Sequence, residues 1–471
     1  MLTNSTTSIM LRRFTSFSGV LKKLSHRLEV DQAVSFGVLT RIWGIGAGPV
    51  TALLIATKFT SELQGYYYTF ATILALQVFV ELGLGTVIVQ FASHEWSQLG
   101  LDKSGRIIGD RNALSRLVSL TGVASKWYIV GGIIATFGLG AGGYIFFSGP
   151  PASTVNWVAP WFLLCFITGI NICLVPIWSL LEGCNQVARL YTYRFIQGVL
   201  TSLSIWIAIM LGAKLWTASV SSVVSLFCAF IFLRSRYWPF LKTLLFSDTT
   251  GPRINWRTDM LPMQWRIALS WVSGYFVFSF FTPVLFKYHG PVVAGQMGMT
   301  WSLISAIGAI SSSWISPKVP RFGMLIAQKK YEELDRFFWR MTKIVISITI
   351  LIAFAIWFLI YMLDNLDFHP ATRLAARILP PLPTGLFLLA QVFLIASLPF
   401  SSYLRAHKKE PLMFLSVLAG ILTGLSTLIL GKYYSATGMA IGYLSINVLL
   451  IPFVFFIWYR CRSVWHIGGS N

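Results

Sequence analysis

Twelve apolar stretches, each long enough to cross a lipid bilayer, make up most of this chain of 471 residues. A helix rises about 1.5 Å per residue, so about 20 apolar residues span a hydrocarbon core about 30 Å thick. Composition agrees, because 55% of the residues are hydrophobic and only 11% are charged. The sequence therefore predicts an all-α polytopic membrane protein. The predicted spans are 34–57, 66–92, 126–148, 157–181, 194–212, 216–233, 267–286, 291–315, 343–363, 379–403, 411–430 and 434–459.

The basic residues, which give the chain a net charge of +21, crowd into alternate gaps between these spans. Cytoplasmic loops of membrane proteins are enriched in Lys and Arg. The asymmetry predicts a multi-pass protein of the cell (inner or plasma) membrane, with both termini and the gaps 93–125, 234–266 and 316–342 in the cytoplasm. Topology explains the charge, so no nucleic-acid partner is expected. The outer gaps hold only Lys58, Lys214, Lys287, Arg373, Arg377 and Lys432.

The gap after the sixth span divides the chain into two sets of six helices, which we expect to form two bundles around a central cleft. Both halves then have the same orientation, and rocking them would open the cleft to either side. A shift of 230 residues aligns Gly65 with Gly295 and the two outer hairpins that precede them. The predicted divisions are a cytoplasmic amphipathic segment (1–33), a first bundle (34–233), a cytoplasmic linker (234–266), a second bundle (267–459) and a cytoplasmic tail (460–471).

Residues 63–85 (LQGYYYTFATILALQVFVELGLG) and 90–95 (QFASHE) resemble the second helix of polysaccharide-biosynthesis flippases. These flippases belong to the multidrug/oligosaccharidyl-lipid/polysaccharide exporter (MOP) superfamily. The resemblance implies transport of a polyprenyl-pyrophosphate-linked oligosaccharide from the inner to the outer leaflet, coupled to a proton or sodium ion. It also implies polysaccharide polymerases or glycosyltransferases as candidate partners, besides membrane lipids. The second half departs from the pattern, since it lacks a counterpart to Arg41.

Arg41 and Glu81 are the charged residues that lie inside the first two predicted spans. An ionised group at membrane depth costs at least about 2.5–3.5 kcal/mol, so each should face the interior of the bundle. Their depths are compatible with an ion pair that merely neutralises two buried charges. The alternative makes Arg41 a ligand for the diphosphate, because a guanidinium matches phosphate oxygens, with Glu81 releasing Arg41 or taking a proton.

Three amides within the predicted spans, Gln77, Gln90 and Asn171, are further candidate substrate-binding residues. Each could hydrogen-bond sugar hydroxyls, although a helix-to-helix hydrogen bond is the simpler alternative. The five cysteines have no metal-type spacing, and no GxxxxGK[ST] motif for ATP hydrolysis is present. We therefore expect no cofactor, metal or catalytic residue.

Other functions fit the same pattern of spans. A multidrug or cation exporter of the same superfamily would differ mainly in the groups that line its cleft. A membrane glycosyltransferase or O-antigen polymerase is less favoured, because its catalytic groups would need a sizeable outer loop and the longest outer gap is 364–378. The sequence favours a transporter over an enzyme.

Overall fold

The computed structural model describes residues 32–149, 155–247, 251–315, 318–366, 369–407 and 409–467. The predicted amphipathic segment thus lies outside the described residues, apart from its last two positions. Helices dominate both halves. In the first half they are α1 (Gln32–Lys58), α2 (Ser61–Leu74), α3 (Val78–Glu81), α4 (Leu84–Trp96), α5 (Arg111–Phe147), α6 (Val158–Gly183), α7 (Val187–Met210), α8 (Trp216–Arg236) and α9 (Trp238–Phe246). A 3₁₀ turn (Ala75–Gln77) joins α2 to α3.

The second half begins with a π-helical turn (Trp256–Met260) that runs into α10 (Leu261–Phe278). This helix starts within the stretch that the sequence assigns to the linker. The remaining helices are α11 (Phe281–Ile315), α12 (Val319–Ala327), α13 (Tyr331–Asn365), α14 (His369–Ala375), α15 (Pro381–Ala406) and α16 (Met413–Ile467).

A short antiparallel hairpin follows α4, formed by β1 (Leu99–Leu101) and β2 (Ile107–Gly109). The Asp102 carboxylate closes its turn by accepting the backbone N–H groups of Ser104 and Arg106, each at 2.8 Å. Asp110 then caps α5, accepting the N–H of Ala113 at 2.8 Å. The helix therefore begins well before the predicted span at 126, and the predicted cytoplasmic gap is shorter than the sequence suggested.

Among the described residues, nine helices are long and apolar enough to cross a membrane, or ten if the bent pair of α2–α3 and α4 forms one span. Two of these passages, Trp256–Ile315 and Met413–His466, run to 60 and 54 residues, far more than one crossing needs. Each contains a residue outside helical geometry, Gly290 (φ 86°) and Ser435 (φ 56°). Both residues lie at or beside the boundaries that the sequence predicts between consecutive spans.

Corresponding helices of the two halves make corresponding contacts. In the first half α1 packs on α7, α5 on α6, and α6 on α8; in the second half α10 packs on α16, α13 on α15, and α15 on α16. Between α1 and α7, the rings of Trp43 and Trp206 lie 6.0 Å apart between centroids. Between α10 and α16, Gly420 leaves room for Ser273. The halves themselves meet mainly where α2 crosses α11.

Candidate functional site

The crossing of α2 and α11 depends on glycine. A Cβ atom added to Gly65 would lie 1.9 Å from the carbonyl oxygen of Pro291, and one added to Gly295 would lie 2.8 Å from the backbone nitrogen of Gly65. No real side chain tolerates such distances, so the two helices approach backbone to backbone. The crossing lies near the start of α2 and just after the kink at Gly290 in α11, on the side that the sequence predicts to be outside.

Hydrogen bonds between the halves surround this crossing. The Gln64 amide, 1% exposed, donates to the carbonyl oxygens of Gly295 at 2.9 Å and Arg377 at 2.8 Å. The Arg377 guanidinium, on the chain between α14 and α15, donates to the carbonyl oxygen of Phe59 at 2.6 Å. We call Gln64 and Arg377 with these acceptors the outer latch. It closes the end of the boundary between the halves that the sequence predicts to face outside.

Aromatic packing reinforces the closure. Tyr66 of α2 meets Phe286 of α11 edge-on at 4.9 Å between ring centroids, and Phe147 of α5 contacts both rings. All three side chains are buried. These rings therefore pack the two halves together beside the crossing.

Along one face of α1, the side chains are buried near the crossing and exposed toward the other end of the helix. Four residues follow Arg41 at spacings close to whole turns of a helix with 3.6 residues per turn, so they share its face. They are Gly48, Ala52, Ile55 and Phe59, at 7, 11, 14 and 18 residues after Arg41. Ile55 and Phe59 are 1% and 4% exposed at the end where α1 contacts α11 and α14 of the second half. Arg41 is exposed. Arg41 therefore lies, about four helical turns away, on the same face of α1 that contacts the second half near Ile55 and Phe59.

Arg41 and Glu81 do not form an ion pair in the described structure. They are 17 and 20 residues from the outer ends of their helices, which corresponds to about 26 and 30 Å. The two residues therefore lie at similar distances from these helix ends, and the neutralising ion pair that the sequence allowed is absent from the described structure. A Cβ added to Gly44, one turn after Arg41, would meet nothing within 4 Å, so space around this part of α1 is open.

Glu81 ends α3 at a break in the second span. Leu82 (φ 46°) and Gly83 (φ 67°) both adopt left-handed backbone geometry, and the helices on either side diverge by 49°. At the break, backbone carbonyl oxygens lose their helical hydrogen-bond partners. The carbonyl oxygen of Val80 accepts a hydrogen bond from the indole N–H of Trp127 at 3.1 Å instead. Gly83 lies against Ile267 of α10. A half-buried carboxylate thus sits where the helix is interrupted beside the second half, a geometry that transporters use to bind ions or substrates.

The three candidate amides do not converge. Gln77 is half-buried in the 3₁₀ turn, Gln90 is exposed on α4, and Asn171 is half-buried on α6, which packs against α4, α5, α7 and α8. None of the three side chains makes a hydrogen bond within the described chain, so the helix-to-helix bonds considered from sequence are not formed. Gln77 and Gln90 lie on the same broken span as Glu81, whereas Asn171 lies inside the first half.

A second cavity of about 440 Å³ lies inside the second half, between α10, α15 and α16. Ser397 and Ser401 of α15 and Thr423 and Asn447 of α16 give it a polar lining. Tyr443, 1% exposed, reaches it with a hydroxyl that lacks a well-formed hydrogen bond in the described structure. At the mouth, the Arg405 Nε and Glu410 Oε1 atoms form an ion pair at 3.2 Å. The sequence analysis did not predict this cavity.

The outer latch was also missed by sequence reasoning. Arg377 carried a signal, since it is one of few basic residues retained on the outer side against the usual charge bias. The signal for Gln64 was weaker: it is a polar residue next to Gly65, the glycine that aligns with Gly295. Neither signal reveals the partner, because both donate to main-chain oxygens.

Solved structures share this architecture. An inward-facing multidrug resistance MATE family transporter of the MOP superfamily matches with a TM-score of 0.58 and 14% sequence identity, over 93% of this chain and 96% of that one. The chain has the fold of MOP transporters. The lipid II flippase MurJ, in an inward closed conformation, matches with a TM-score of 0.57 and 14% identity, over 90% of this chain and 87% of that one.

A third MOP superfamily transporter, from Pyrococcus furiosus, is described as having a binding pocket of reverse polarity that suggests a different function. It matches with a TM-score of 0.52 and 14% identity, over 92% of this chain and 97% of that one. No family model and no curated protein sequence matches this chain. The structural matches confirm the superfamily's fold, and these structural neighbours are transporters rather than enzymes.

Proposed function

We propose that this protein is a flippase that moves a polyprenyl-pyrophosphate-linked oligosaccharide from the inner to the outer leaflet for surface polysaccharide biosynthesis. Both termini lie in the cytoplasm. Twelve spans result when the bent pair of α2–α3 and α4 counts as one span and the two long passages divide at Gly290 and Ser435. The halves at 34–233 and 267–459 are the moving bodies, joined by the linker 234–266, with the segments 1–33 and 460–471 at the cytoplasmic surface.

The observation that carries this proposal is that Arg41 is exposed and has no carboxylate partner in the described structure, on the face of α1 that contacts the second half near Ile55 and Phe59. On this face we expect Arg41 to line the cleft. A diphosphate that leaves water needs a compensating charge, and an unpaired guanidinium can donate two parallel hydrogen bonds to its oxygens. A cation exporter would instead place a carboxylate at such a position. The fold shared with MurJ, which is a flippase for lipid II, supports the same direction of inference.

Alternating access follows from the two ends of the boundary between the halves. The outer latch and the Gly65–Gly295 crossing close one end, and the exposed stretch of α1 around Arg41 opens the other. Opening the latch while the inner ends close would carry a bound diphosphate across the membrane. Glu81, at the break in the second span, is placed to couple this change to a proton or sodium ion. Its carboxylate can bind the ion in one state and release it when the helix break changes conformation.

The glycan needs polar groups that do not carry charge. Gln77 and Gln90 on the broken span, Asn171 in the first half and the hydroxyl-lined cavity of the second half supply them. Polysaccharide polymerases or glycosyltransferases, which make and consume such a glycan, are the partners expected at the two membrane surfaces.

Glycan export by variants in living cells tests the proposal. Arg41→Ala should reduce export at least tenfold at unchanged protein level, because a hydrogen bond to a charged group contributes about 1.5–3 kcal/mol. Arg41→Lys should also be impaired, since Lys loses the planar fork. Lys58→Ala removes the same charge at the outer end of α1 and serves as the matched control. Normal export by Arg41→Ala would remove the diphosphate role.

A multidrug exporter remains the second candidate, because Glu81 is a carboxylate at membrane depth and the MATE structures named above are multidrug transporters. Cells that express the protein would then tolerate cationic drugs, and Glu81→Gln would abolish that tolerance while Arg41→Ala would not. Glycan export and drug tolerance in the same strains separate the two candidates.

A further inference from the structure

A groove lies on the surface of the first half, between α7 and α8. Its volume is about 460 Å³. Ile196 and Leu200 of α7 and Ile231 of α8 line it and are 50%, 42% and 49% exposed. In a membrane-spanning helix pair, such an apolar groove is filled by hydrocarbon, because exposed apolar side chains at that depth meet lipid tails.

The groove is separate from the cleft. The opposite side of α7 packs against α1, where the Trp43 indole N–H donates to the Ser202 hydroxyl at 3.2 Å and the Trp206 indole N–H to Thr51 at 2.9 Å. The main neighbours of α8 are α6, α7 and α9. The groove therefore lies on the side of α7 opposite α1, the helix that carries Arg41.

Two arginines, Arg189 and Arg236, stand at the end of the groove that the positive-inside pattern places at the cytoplasmic surface. Both are exposed, and they flank Tyr237, which is 1% exposed and donates its hydroxyl to Gln186 at 3.3 Å. Neither arginine forms an ion pair with a carboxylate in the described structure. Arg194, which lies on α7 with Arg189, pairs with Glu182 at 3.3 Å, so that carboxylate already has a basic partner.

We propose that this groove binds an anionic phospholipid of the inner leaflet, with the phosphate on Arg189 and Arg236 and an acyl chain along Ile196, Leu200 and Ile231. The charge is complementary, since basic pockets between helices at the cytoplasmic surface attract anionic headgroups. The length is suitable too: Leu200 lies 11 residues beyond Arg189, or about 16 Å deeper. The site does not depend on the transported substrate.

Native mass spectrometry of the purified protein tests this, with phosphatidylglycerol and phosphatidylcholine of identical chains as probes. Changing Arg189→Gln and Arg236→Gln, singly and together, should weaken phosphatidylglycerol binding by about fivefold per arginine and leave phosphatidylcholine unchanged. Lys214→Gln, which removes one charge from the loop at the other end of the same two helices, is the matched control. An unchanged affinity of the double variant would overturn the proposal.

A second change separates a lipid from a free anion. Ile231→Trp fills the groove without altering charge, so it should weaken phosphatidylglycerol binding while Arg189 and Arg236 stay in place. Inorganic phosphate at millimolar concentration should not displace the lipid. If phosphate displaces it fully, or if Ile231→Trp binds the lipid normally, the arginines hold an anion and the groove holds no chain. Neither readout depends on glycan export.

Discussion

Gly65 and Gly295 pack against each other although 230 residues separate them, and 230 is the shift that aligns the two halves of the sequence. Gly298 likewise lies against Tyr68, its counterpart under the same shift. Two equivalent positions touch each other only at an axis that relates the halves. The contact therefore indicates that a pseudo-twofold axis passes through the crossing of α2 and α11.

Gly65→Ala should destabilise this crossing, because the new methyl group would overlap the Pro291 carbonyl. Overpacking of this kind costs about 1–3 kcal/mol, so we expect a lower unfolding temperature of the purified protein in detergent. Gly44→Ala is the matched control, since its methyl group would meet nothing within 4 Å. Equal unfolding temperatures for the two variants would show that the crossing relaxes without cost.

Loss of the outer latch should favour the outward-open state. Arg377→Ala removes a charged donor from the Phe59 carbonyl, which contributes about 1.5–3 kcal/mol and thus shifts the equilibrium at least tenfold. A single cysteine at Thr69, which is fully buried, should then react faster with a membrane-impermeant thiol reagent from outside. Arg373→Ala, an exposed arginine of the adjacent α14, should leave the rate unchanged. A slow reaction in Arg377→Ala would mean that the latch contributes little to closure.

Arg41→Ala and Glu81→Ala should affect stability independently, since the two side chains form no ion pair. Changes at sites without shared contacts usually add to within about 0.5 kcal/mol. A double-mutant cycle from unfolding temperatures measures this, and the double variant should insert normally yet fail to export glycan. Strong coupling in the cycle, with export restored in the double variant, would indicate a neutralising pair in another state of the transporter.

Membrane orientation can be checked at positions far from the cleft. Cysteines at Ser247 and Lys329 should resist an impermeant reagent applied to intact cells, because both lie in gaps predicted to be cytoplasmic. A cysteine at Lys214, between α7 and α8, should react readily and serves as the positive control. Efficient labelling at Ser247 would reverse the orientation.

Hydropathy alone located most helices, since the energy of transferring apolar residues into lipid depends little on tertiary context. Helix ends were less predictable. The Asp110 cap starts α5 in a charged segment, which a hydropathy analysis assigns to a loop. The break at Leu82–Gly83 had no clear signal in the sequence, because leucine rarely adopts left-handed geometry. Pairwise contacts between helices were the hardest to foresee: depth made an Arg41–Glu81 pair feasible, but the rotation of each helix about its axis decides whether it forms.

The chemistry of the outer latch has a consequence for how such a protein tolerates mutation. Gln64 and Arg377 donate to the main-chain oxygens of Phe59, Gly295 and Arg377 itself, and a main-chain oxygen is present whatever side chain its residue carries. Phe59 can therefore change identity without the loss of its acceptor, while a change of either donor removes the contact. Among diverging relatives, selection for this latch would act on the codons of Gln64 and Arg377, whereas the acceptor at position 59 survives any change of its side chain.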